Sequence, residues 1–284
     1  MSSDKERTIG IILPNITNHF SANFFSQITD ALAKEQLRTI VSLTGHKVEK
    51  ERELFDYFHS ITNGILVLSS ATDYEQIADV VPSDIPVIFF NRKPEGCNRC
   101  CILASDYAAV YQAVISMERS GHNKIACICD NPDYSTTRQV VDAYRDAMTN
   151  SDIEFHEDWI YYTDNQHFSV EELVDSISAK GCDAVLTATQ TLTEYFQDYL
   201  VIYNKDKENK LYLTGYSNDE SQLLAPKSID VITQPVHQIV QLAVQQLRYL
   251  WENPSAPAKE YLLKGTLRVR RFNRFEPEET TQER

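Results

Sequence analysis

The chain has few of the residues that break or disorder a backbone: 8 glycines and 10 prolines among 284 residues. Apolar residues make up 42% of it and charged residues 24%, which excludes the collagenous and disordered classes. A chain of this length can bury a large core, and about 150 residues per domain predicts two domains.

Cations are also scarce, since the chain has 27 Lys and Arg but 41 Asp and Glu, which gives a net charge of −14. Binding nucleic acid requires a surplus of cations on some face, so this chain alone is a poor candidate for that function. One basic cluster lies near the end of the chain and precedes an acidic segment, and it is either a solvated strand face and tail or a partner contact. Its members are Lys264, Arg268, Arg270, Arg271 and Arg274.

Long apolar runs are missing: none reaches the roughly 18 residues that would span a bilayer, and MSSDKERTIGIILPN lacks the apolar core of a secretory signal. We therefore expect a soluble, cytoplasmic protein with no membrane partner. Cys127 and Cys129 alternate along an apolar run and Cys182 precedes another, as reduced buried thiols would.

The segment CNRCC, with Cys97, Cys100 and Cys101, has the spacing of a zinc knuckle. A closed zinc site needs four ligands, and no second CxxC or HxxxH supplies them. The sequence predicts no metal and a loop of reduced thiols that runs into a strand.

The motifs of common enzymes are missing as well: GxxxxGK[ST], GxGxxG after the first strand, GxSxG and HExxH do not occur. The sequence therefore predicts no enzyme and no cofactor. His19 lies in a candidate site loop, and His122 lies in a turn where a structural role is expected.

Short apolar runs alternate with longer amphipathic segments almost to the end of the chain, which is typical of βαβ units on parallel sheets. The segments between the predicted strands read as helices, including one near Tyr74 to Val80. Ligands of such sheets bind at the carboxyl ends of the strands, where the loops here are rich in Asn, Ser, Thr, Tyr and Asp. The predicted strands are 8–13, 39–43, 64–68, 87–90, 101–104, 125–129, 184–186, 211–214, 229–232, 261–263 and 266–269.

Six segments, in their order and spacing, carry a family resemblance: IGIILPNITNHF, NGILVLSS, IPVIFFNR, RSGHNKIACI, TGYSND and IDVITQP. With them the chain resembles the effector-binding core of LacI/GalR transcriptional regulators, from about Thr8 to Arg271. The resemblance implies a periplasmic-binding-protein-like type I fold, α/β with two Rossmann-like subdomains of parallel sheets. It implies three crossovers, near Asp106, Gln234 and Lys264. The expected N-terminal subdomain is 8–105 plus 235–263, the C-terminal one is 106–234 plus 264–275, and 276–284 is an acidic tail.

The function implied by the resemblance is ligand sensing and dimerisation in a repressor, with a sugar or sugar phosphate held in the cleft between subdomains. The regulator would be a homodimer that meets operator DNA only through a helix-turn-helix headpiece. Met1–Arg7 is too short for that headpiece, so we expect its absence from this chain. The alternatives are a solute-binding protein of a sugar transport system and a two-lobed sugar-processing enzyme.

The resemblance places ligand contacts at the loops that follow the strands. Alternatives remain at several of them: Phe20 as a core aromatic, Asp106 as a helix cap, Arg138 as a surface ion-pair partner, and the two serines after the third strand as its end. The candidate ligand-binding residues are Phe20, Ser21, Ser69, Ser70, Asn91, Arg92, Asp106, Tyr134, Arg138, Gln190, Ser217, Asn218 and Gln234.

Two departures from the family pattern bear on the effector. Val140 stands where the family commonly has an effector-gripping Arg, with Arg138 two residues earlier, and Ser217 stands where an Asp is usual. Thr189-Gln190 likewise replaces the common Asn-Asp, whereas Asn91 in place of the Asp of an Asp-Arg pair is a modest change that keeps a hydrogen-bonding side chain. Because a carboxylate accepts sugar hydroxyls more strongly than a serine does, these changes argue against an ordinary neutral hexose held bidentately.

Overall fold

The computed structural model describes residues 7–151, 153–163, 168–205, 210–218 and 229–269. Strands and helices alternate through them, as the sequence predicts. Within this part of the chain the first elements are β1 (Thr8–Leu13), α1 (His19–Lys34), β2 (Arg38–Leu43), α2 (Val48–Ile61), β3 (Gly64–Val67), β4 (Val87–Phe90) and β5 (Cys100–Ser105). There follow α3 (Tyr107–Arg119), β6 (Ile125–Cys129), α4 (Ser135–Asn150), β7 (Ile160–Tyr162), α5 (Val170–Ala179), β8 (Ala184–Thr187), α6 (Gln190–Tyr203), β9 (Tyr212–Tyr216), β10 (Asp230–Thr233), α7 (Val236–Glu252), β11 (Glu260–Lys264) and β12 (Thr266–Arg268).

The strands form two six-stranded sheets, in the orders β11-β5-β4-β3-β1-β2 and β12-β10-β9-β8-β6-β7. The first sheet is parallel throughout, and in the second only β12 pairs antiparallel, with β10. The predicted α/β fold with two parallel sheets is therefore confirmed, with β12 as the one antiparallel addition among the described strands.

Helices bury the faces of each sheet, and we name the resulting layers lobe 1 (first sheet, α1, α2 and α7) and lobe 2 (second sheet, α3 to α6). In lobe 1 the rings of Phe24 on α1 and Phe90 on β4 stack 3.8 Å apart. Strands β3, β4, β6 and β8 are buried at every residue, as expected for parallel strands covered on both faces. The apolar runs of the sequence thus form the middle of each sheet.

The chain passes between the lobes at three places, which agrees with the predicted crossovers: β5 leads into α3, β10 into α7, and β11 into β12. The Gly265 N–H donates to the Ser105 carbonyl over 3.0 Å, so the first and third crossovers lie against each other. The exact subdomain boundaries stay a prediction, and the tail 276–284 lies outside the described residues.

Two local predictions were wrong. The helix expected near Tyr74 to Val80 is only a 3₁₀ turn, Tyr74–Gln76. Val81 precedes Pro82, and a residue before proline is disfavoured in a helix, so the segment cannot continue as one. Strand β7 is three residues long and was not predicted, because so short a run carries too little periodicity to be recognised.

Of the basic cluster, Lys264 and Arg268 are exposed, and Arg270, Arg271 and Arg274 lie outside the described residues. None of the helices in the described ranges is both long and apolar enough to cross a bilayer.

Candidate functional site

A cavity of about 420 Å³ lies between the two lobes, at the carboxyl ends of their strands. This is the position at which open α/β sheets bind ligands, and its volume lies within the range of small-molecule sites. Lobe 1 contributes the loops after β1, β2 and β4, and lobe 2 contributes the loops after β6, β8 and β9.

Asp106 lies at the first crossover and is 5% exposed. Its Oδ2 accepts a hydrogen bond from Gln234 Nε2 at 2.7 Å, and its backbone N–H donates to Gln139 Oε1 at 2.5 Å. The other oxygen, Oδ1, has no hydrogen-bond partner among the described residues. Burial raises the pKa of this carboxyl to about 6, against the opposing effects of the Gln234 side chain and the nearby Tyr216 hydroxyl. At neutral pH the group is therefore mostly ionised, at a cost in free energy.

Gly265, at the third crossover, makes room for that carboxyl. A Cβ atom at position 265 would lie 2.2 Å from Asp106 Oδ1, which is much shorter than a van der Waals contact between carbon and oxygen. Glycine is therefore required here by close approach rather than by backbone conformation.

Arg92 follows β4 of lobe 1 and reaches two residues of lobe 2. Its Nη2 lies 3.4 Å from Asp130 Oδ2, and its guanidinium carbon lies 3.7 Å from the centre of the Tyr134 ring. Both charged side chains are largely buried, so this pair joins the lobes beside the cavity. The Nη1 atom of Arg92 has no partner within the described part of the chain.

Asn91 and Tyr216 complete a set of unsatisfied polar atoms. Asn91 has a φ of +59°, a left-handed conformation that Asn adopts more readily than most residues. Its Oδ1 and the Tyr216 hydroxyl are buried and make no hydrogen bond of normal geometry within the described part of the chain, although the hydroxyl lies close enough to the Asp106 carboxyl to affect its pKa. Buried polar atoms in proteins are rarely left unpaired. Four such atoms around one cavity therefore mark positions at which a polar ligand would find hydrogen-bond partners.

Comparison with known proteins decides the family. The model of the family described as periplasmic binding proteins and sugar binding domain of LacI family matches residues 6–193. The chain belongs to this family. It is thus an effector-binding core of the LacI type, as the sequence resemblance implied.

Individual relatives agree with this assignment. Catabolite control protein A of Priestia megaterium is 24% identical over 254 residues, covering 87% of this chain and 76% of that protein. The ribose operon repressor of Haemophilus influenzae is 22% identical over 275 residues, covering 93% and 80%. The second of these relatives is named as an operon repressor.

The fold is shared with a solved structure of the Cra transcriptional dual regulator from Pseudomonas putida in complex with fructose 1-phosphate. The TM-score is 0.79 at 20% identity, over 94% of this chain and 100% of that one. The LacI-type fold of two lobes is thus reached with four-fifths of the aligned residues different.

The candidate residues divide between the cavity wall and its surroundings. Seven of the thirteen line the cavity: Phe20, Asn91, Arg92, Asp106, Gln190, Asn218 and Gln234. Val140, at the position where the LacI family commonly has an arginine, lines it too. The remaining six lie outside the lining: Ser21, Ser69, Ser70, Tyr134, Arg138 and Ser217.

Ser69 and Ser70 are held by a buried carboxylate instead. The Ser69 hydroxyl donates to Glu51 Oε1 at 2.6 Å, and the Ser70 N–H donates to Oε2 at 2.5 Å. Burial raises the pKa of Glu51, which the two serine bonds oppose. The loop after β3 is therefore anchored to α2, and its serines shape the cleft wall from behind.

The other residues outside the lining have their own surroundings. The Tyr134 ring makes a cation–π contact with the Arg92 guanidinium. Arg138 is exposed and donates to the Asp133 carbonyl at 2.7 Å, which points it away from the cleft. Ser21 and Ser217 are buried at 0% and 2% exposure. Side-chain direction, rather than chain position, separates these residues from the cavity.

Tyr216 and His46 are among the lining residues that sequence reasoning did not name as candidates. Tyr216 lies in the TGYSND segment that carried the resemblance, at the end of β9, and is the strand position that faces the cavity. His46 contacts Asn15 Nδ2 through Nε2 at 2.8 Å. Burial and the Arg92 charge lower the pKa of His46, so it is neutral at pH 7. His19, noted in the sequence, pairs with Glu194 of lobe 2 at 2.7 Å.

No group of three His, Cys, Asp or Glu side chains within the described ranges is placed to hold a metal ion. The chemistry of the cleft is that of hydrogen-bond donors and acceptors, with one guanidinium.

Proposed function

We propose that this core senses a small sugar or sugar phosphate, bound between the lobes, on behalf of a cytoplasmic, homodimeric transcriptional repressor. The observation that carries the proposal is the set of four buried polar atoms around one cavity that make no hydrogen bond of normal geometry: Asn91 Oδ1, Arg92 Nη1, Asp106 Oδ1 and the Tyr216 hydroxyl. The sugar-binding description of the family supports the choice of ligand class.

The four atoms can be satisfied only by a ligand that has both hydrogen-bond donors and hydrogen-bond acceptors. Asn91 Oδ1 and Asp106 Oδ1 only accept, Arg92 Nη1 only donates, and the Tyr216 hydroxyl does either. A ligand hydroxyl donates and accepts at once, so a polyhydroxylated ring satisfies all four. Each unpaired buried group costs about 1–3 kcal/mol, which the bound ligand recovers.

The charges of the cleft allow a neutral sugar and one with a single phosphate. Arg92 is partly neutralised by Asp130, while Asp106 has no cationic partner among the described residues. We therefore place ligand hydroxyls at Asp106 and an electron-rich oxygen, of a hydroxyl or a phosphate, at Arg92 Nη1. Cra of Pseudomonas putida, with this fold, was crystallised with fructose 1-phosphate.

Ligand binding would act on the closure of the lobes. The Arg92–Asp130 and His19–Glu194 pairs connect lobe 1 to lobe 2 beside the cavity. A ligand that contacts both lobes favours the closed arrangement by as much as its affinities for the open and closed forms differ. DNA-reading heads outside this chain would receive that change, since a chain with a net charge of −14 has no surplus of cations of its own.

A thermal-shift screen of sugars, sugar phosphates and nucleosides tests the ligand class. We expect one sugar or sugar phosphate at 100 times its Kd to stabilise the protein by about 2.7 kcal/mol. Asn91→Gly removes the amide and accepts the positive φ, so it should lose most of this stabilisation. Asn150→Gly, the same change at the exposed end of α4, should keep it. Stabilisation by nucleosides alone would contradict the proposal.

Dimerisation through lobe 1 is tested by light scattering. We expect twice the chain mass of 32.6 kDa at micromolar concentrations. A monodisperse monomer at high concentration would contradict the homodimer and leave the ligand proposal to the thermal-shift result.

A further inference from the structure

Two thiols of the CNRCC segment face each other at the amino end of β5 in lobe 1. Cys97 Sγ and Cys101 Sγ are 3.8 Å apart, and the Cys101 thiol donates to the Cys97 sulfur. Cys97 retains 9% exposure, whereas Cys101 is 1% exposed. Cys97 is therefore the more exposed residue of the two, and the Cys101 sulfur lies against the Cys97 sulfur.

The surroundings favour the thiolate of Cys97. The hydrogen bond from Cys101 lowers the pKa of Cys97 most, followed by the Arg99 backbone N–H and the charges of Lys93 and Arg99. Burial acts in the opposite direction but is outweighed. A thiolate is the nucleophilic form of cysteine, so Cys97 is placed to react.

A second pair of neighbouring thiols in the same chain shows that a short distance between two sulfurs does not by itself favour the thiolate. Cys127 and Cys129 on β6 have their sulfurs 3.5 Å apart, nearer than the first pair, yet both are completely buried. The hydrogen bond with Cys129 and burial raise the pKa of Cys127. Burial likewise raises the pKa of Cys100 to about 11. Among these cysteines only Cys97 combines a neighbouring thiol, nearby cations and a residual exposure of 9%.

We propose that Cys97 and Cys101 form a redox-active pair, which hydroperoxides oxidise to an intrachain disulfide and thiols reduce again. The sulfurs must approach from 3.8 Å to the disulfide length of about 2.05 Å, a movement that side-chain rotation in a turn can supply. The pair links the loop that follows β4 to the amino end of β5, so the modification lies at the end of that strand opposite the cleft.

The reaction balances in two steps. The Cys97 thiolate attacks one oxygen of hydrogen peroxide, the O–O bond breaks, and Cys97 sulfenic acid forms as hydroxide leaves and takes a proton. The Cys101 sulfur then attacks Cys97 Sγ, the S–O bond breaks, and a disulfide and a second water form. The two thiols supply two electrons, which reduce the peroxide to two waters.

The order of attack follows from the structure. Hydrogen bonding to Cys97 is the first cause that raises the pKa of Cys101, and the charge of Cys97 adds to it. Oxidation of Cys97 removes that charge, so Cys101 becomes easier to deprotonate once it is needed. Cys97 is therefore the attacking residue and Cys101 the resolving one.

Peptide mapping of the peroxide-treated protein tests the proposal. Trypsin cuts after Arg99, so a Cys97–Cys101 disulfide joins the peptides 93–99 and 100–119. We expect this joined pair within minutes of adding stoichiometric hydrogen peroxide, its loss on adding dithiothreitol, and at least tenfold slower modification of Cys127 and Cys129.

Single cysteine variants show which sulfur is attacked by peroxide and which one completes the disulfide. Cys100→Ser should retain the joined peptides, Cys101→Ser should lose them and leave a dimedone-reactive Cys97, and Cys97→Ser should abolish both products. Equal oxidation of the Cys127 pair, a disulfide that requires Cys100, or no joined peptides in the wild-type protein would each overturn the proposal. None of these outcomes depends on the ligand of the cleft.

Discussion

Asp106→Asn is expected to abolish ligand-induced stabilisation while making the ligand-free protein more stable by about 3 kcal/mol at pH 8. Asparagine keeps the size of the side chain and an oxygen for Gln234 Nε2, but it carries no charge. The folded-state pKa of Asp106 is about 6, roughly two units above that of an unfolded aspartate, and each unit corresponds to about 1.4 kcal/mol. Loss of ligand binding and gain of stability should thus appear in one variant.

The raised pKa of Asp106 also predicts how the stability difference between wild type and Asp106→Asn changes with pH. Because the folded-state pKa is raised, protonated Asp106 favours the folded protein, and that stability is fully present below about pH 4. It is lost as the pH rises through 6. The advantage of Asp106→Asn should therefore be largest at pH 8 and vanish near pH 4, as measured by urea unfolding at both pH values.

Asp198→Asn is the matched control, since Asp198 is exposed on α6. It should change neither ligand binding nor the pH profile by more than about 0.5 kcal/mol. If Asp106→Asn destabilised the ligand-free protein at pH 8, Asp106 would be a structural cap and not a strained site residue.

Gly265→Ala is expected to destabilise the protein by about 1–3 kcal/mol and to eliminate ligand binding. The new methyl group would lie 2.2 Å from Asp106 Oδ1 and 3.4 Å from the Thr233 carbonyl oxygen, so the carboxyl must move out of its place in the cleft. The backbone of Gly265 has no positive φ, so the clash alone should account for the cost.

A double-mutant cycle isolates that clash. In an Asp106→Ala background the carboxyl is absent, and adding Gly265→Ala should cost less than about 0.5 kcal/mol. Urea unfolding of the wild type, both single variants and the double variant measures the coupling. Strictly additive effects would show that Gly265 and Asp106 do not constrain each other.

The positions of the site loops were predictable because strand and helix periodicity is local. Apolar runs ending in polar residues placed Asn91, Arg92 and Asp106 at the carboxyl ends of strands. The side chains that follow β3 and β9 were harder to predict, since successive residues of a strand face opposite sides. Ser217 was chosen in the sequence, whereas its neighbour Tyr216 lines the cavity.

Glu51 shows why local patterns cannot assign such contacts. It lies on α2 among charged residues, where a solvated position is the ordinary expectation, yet it is completely buried. Its carboxylate accepts hydrogen bonds from the hydroxyl of Ser69 and the N–H of Ser70, which keeps both residues out of the cavity wall. Only the packing of α2 under the β3 loop brings these groups together.

The amino-acid sequence by itself determined the alternation of strands and helices and the loops at the strand ends, because these depend on the polarity of residues a few positions apart. The two lobes and the cleft between them were implied by the resemblance to LacI/GalR regulators. Tertiary structure decided the rest. Arg92 meets Asp130 across 38 positions, and Asp106 meets Gln234 across 128. Hydrogen bonds act over about 3 Å in space. Which polar atoms are paired and which remain for a ligand therefore depends on the order of the strands and the closure of the lobes.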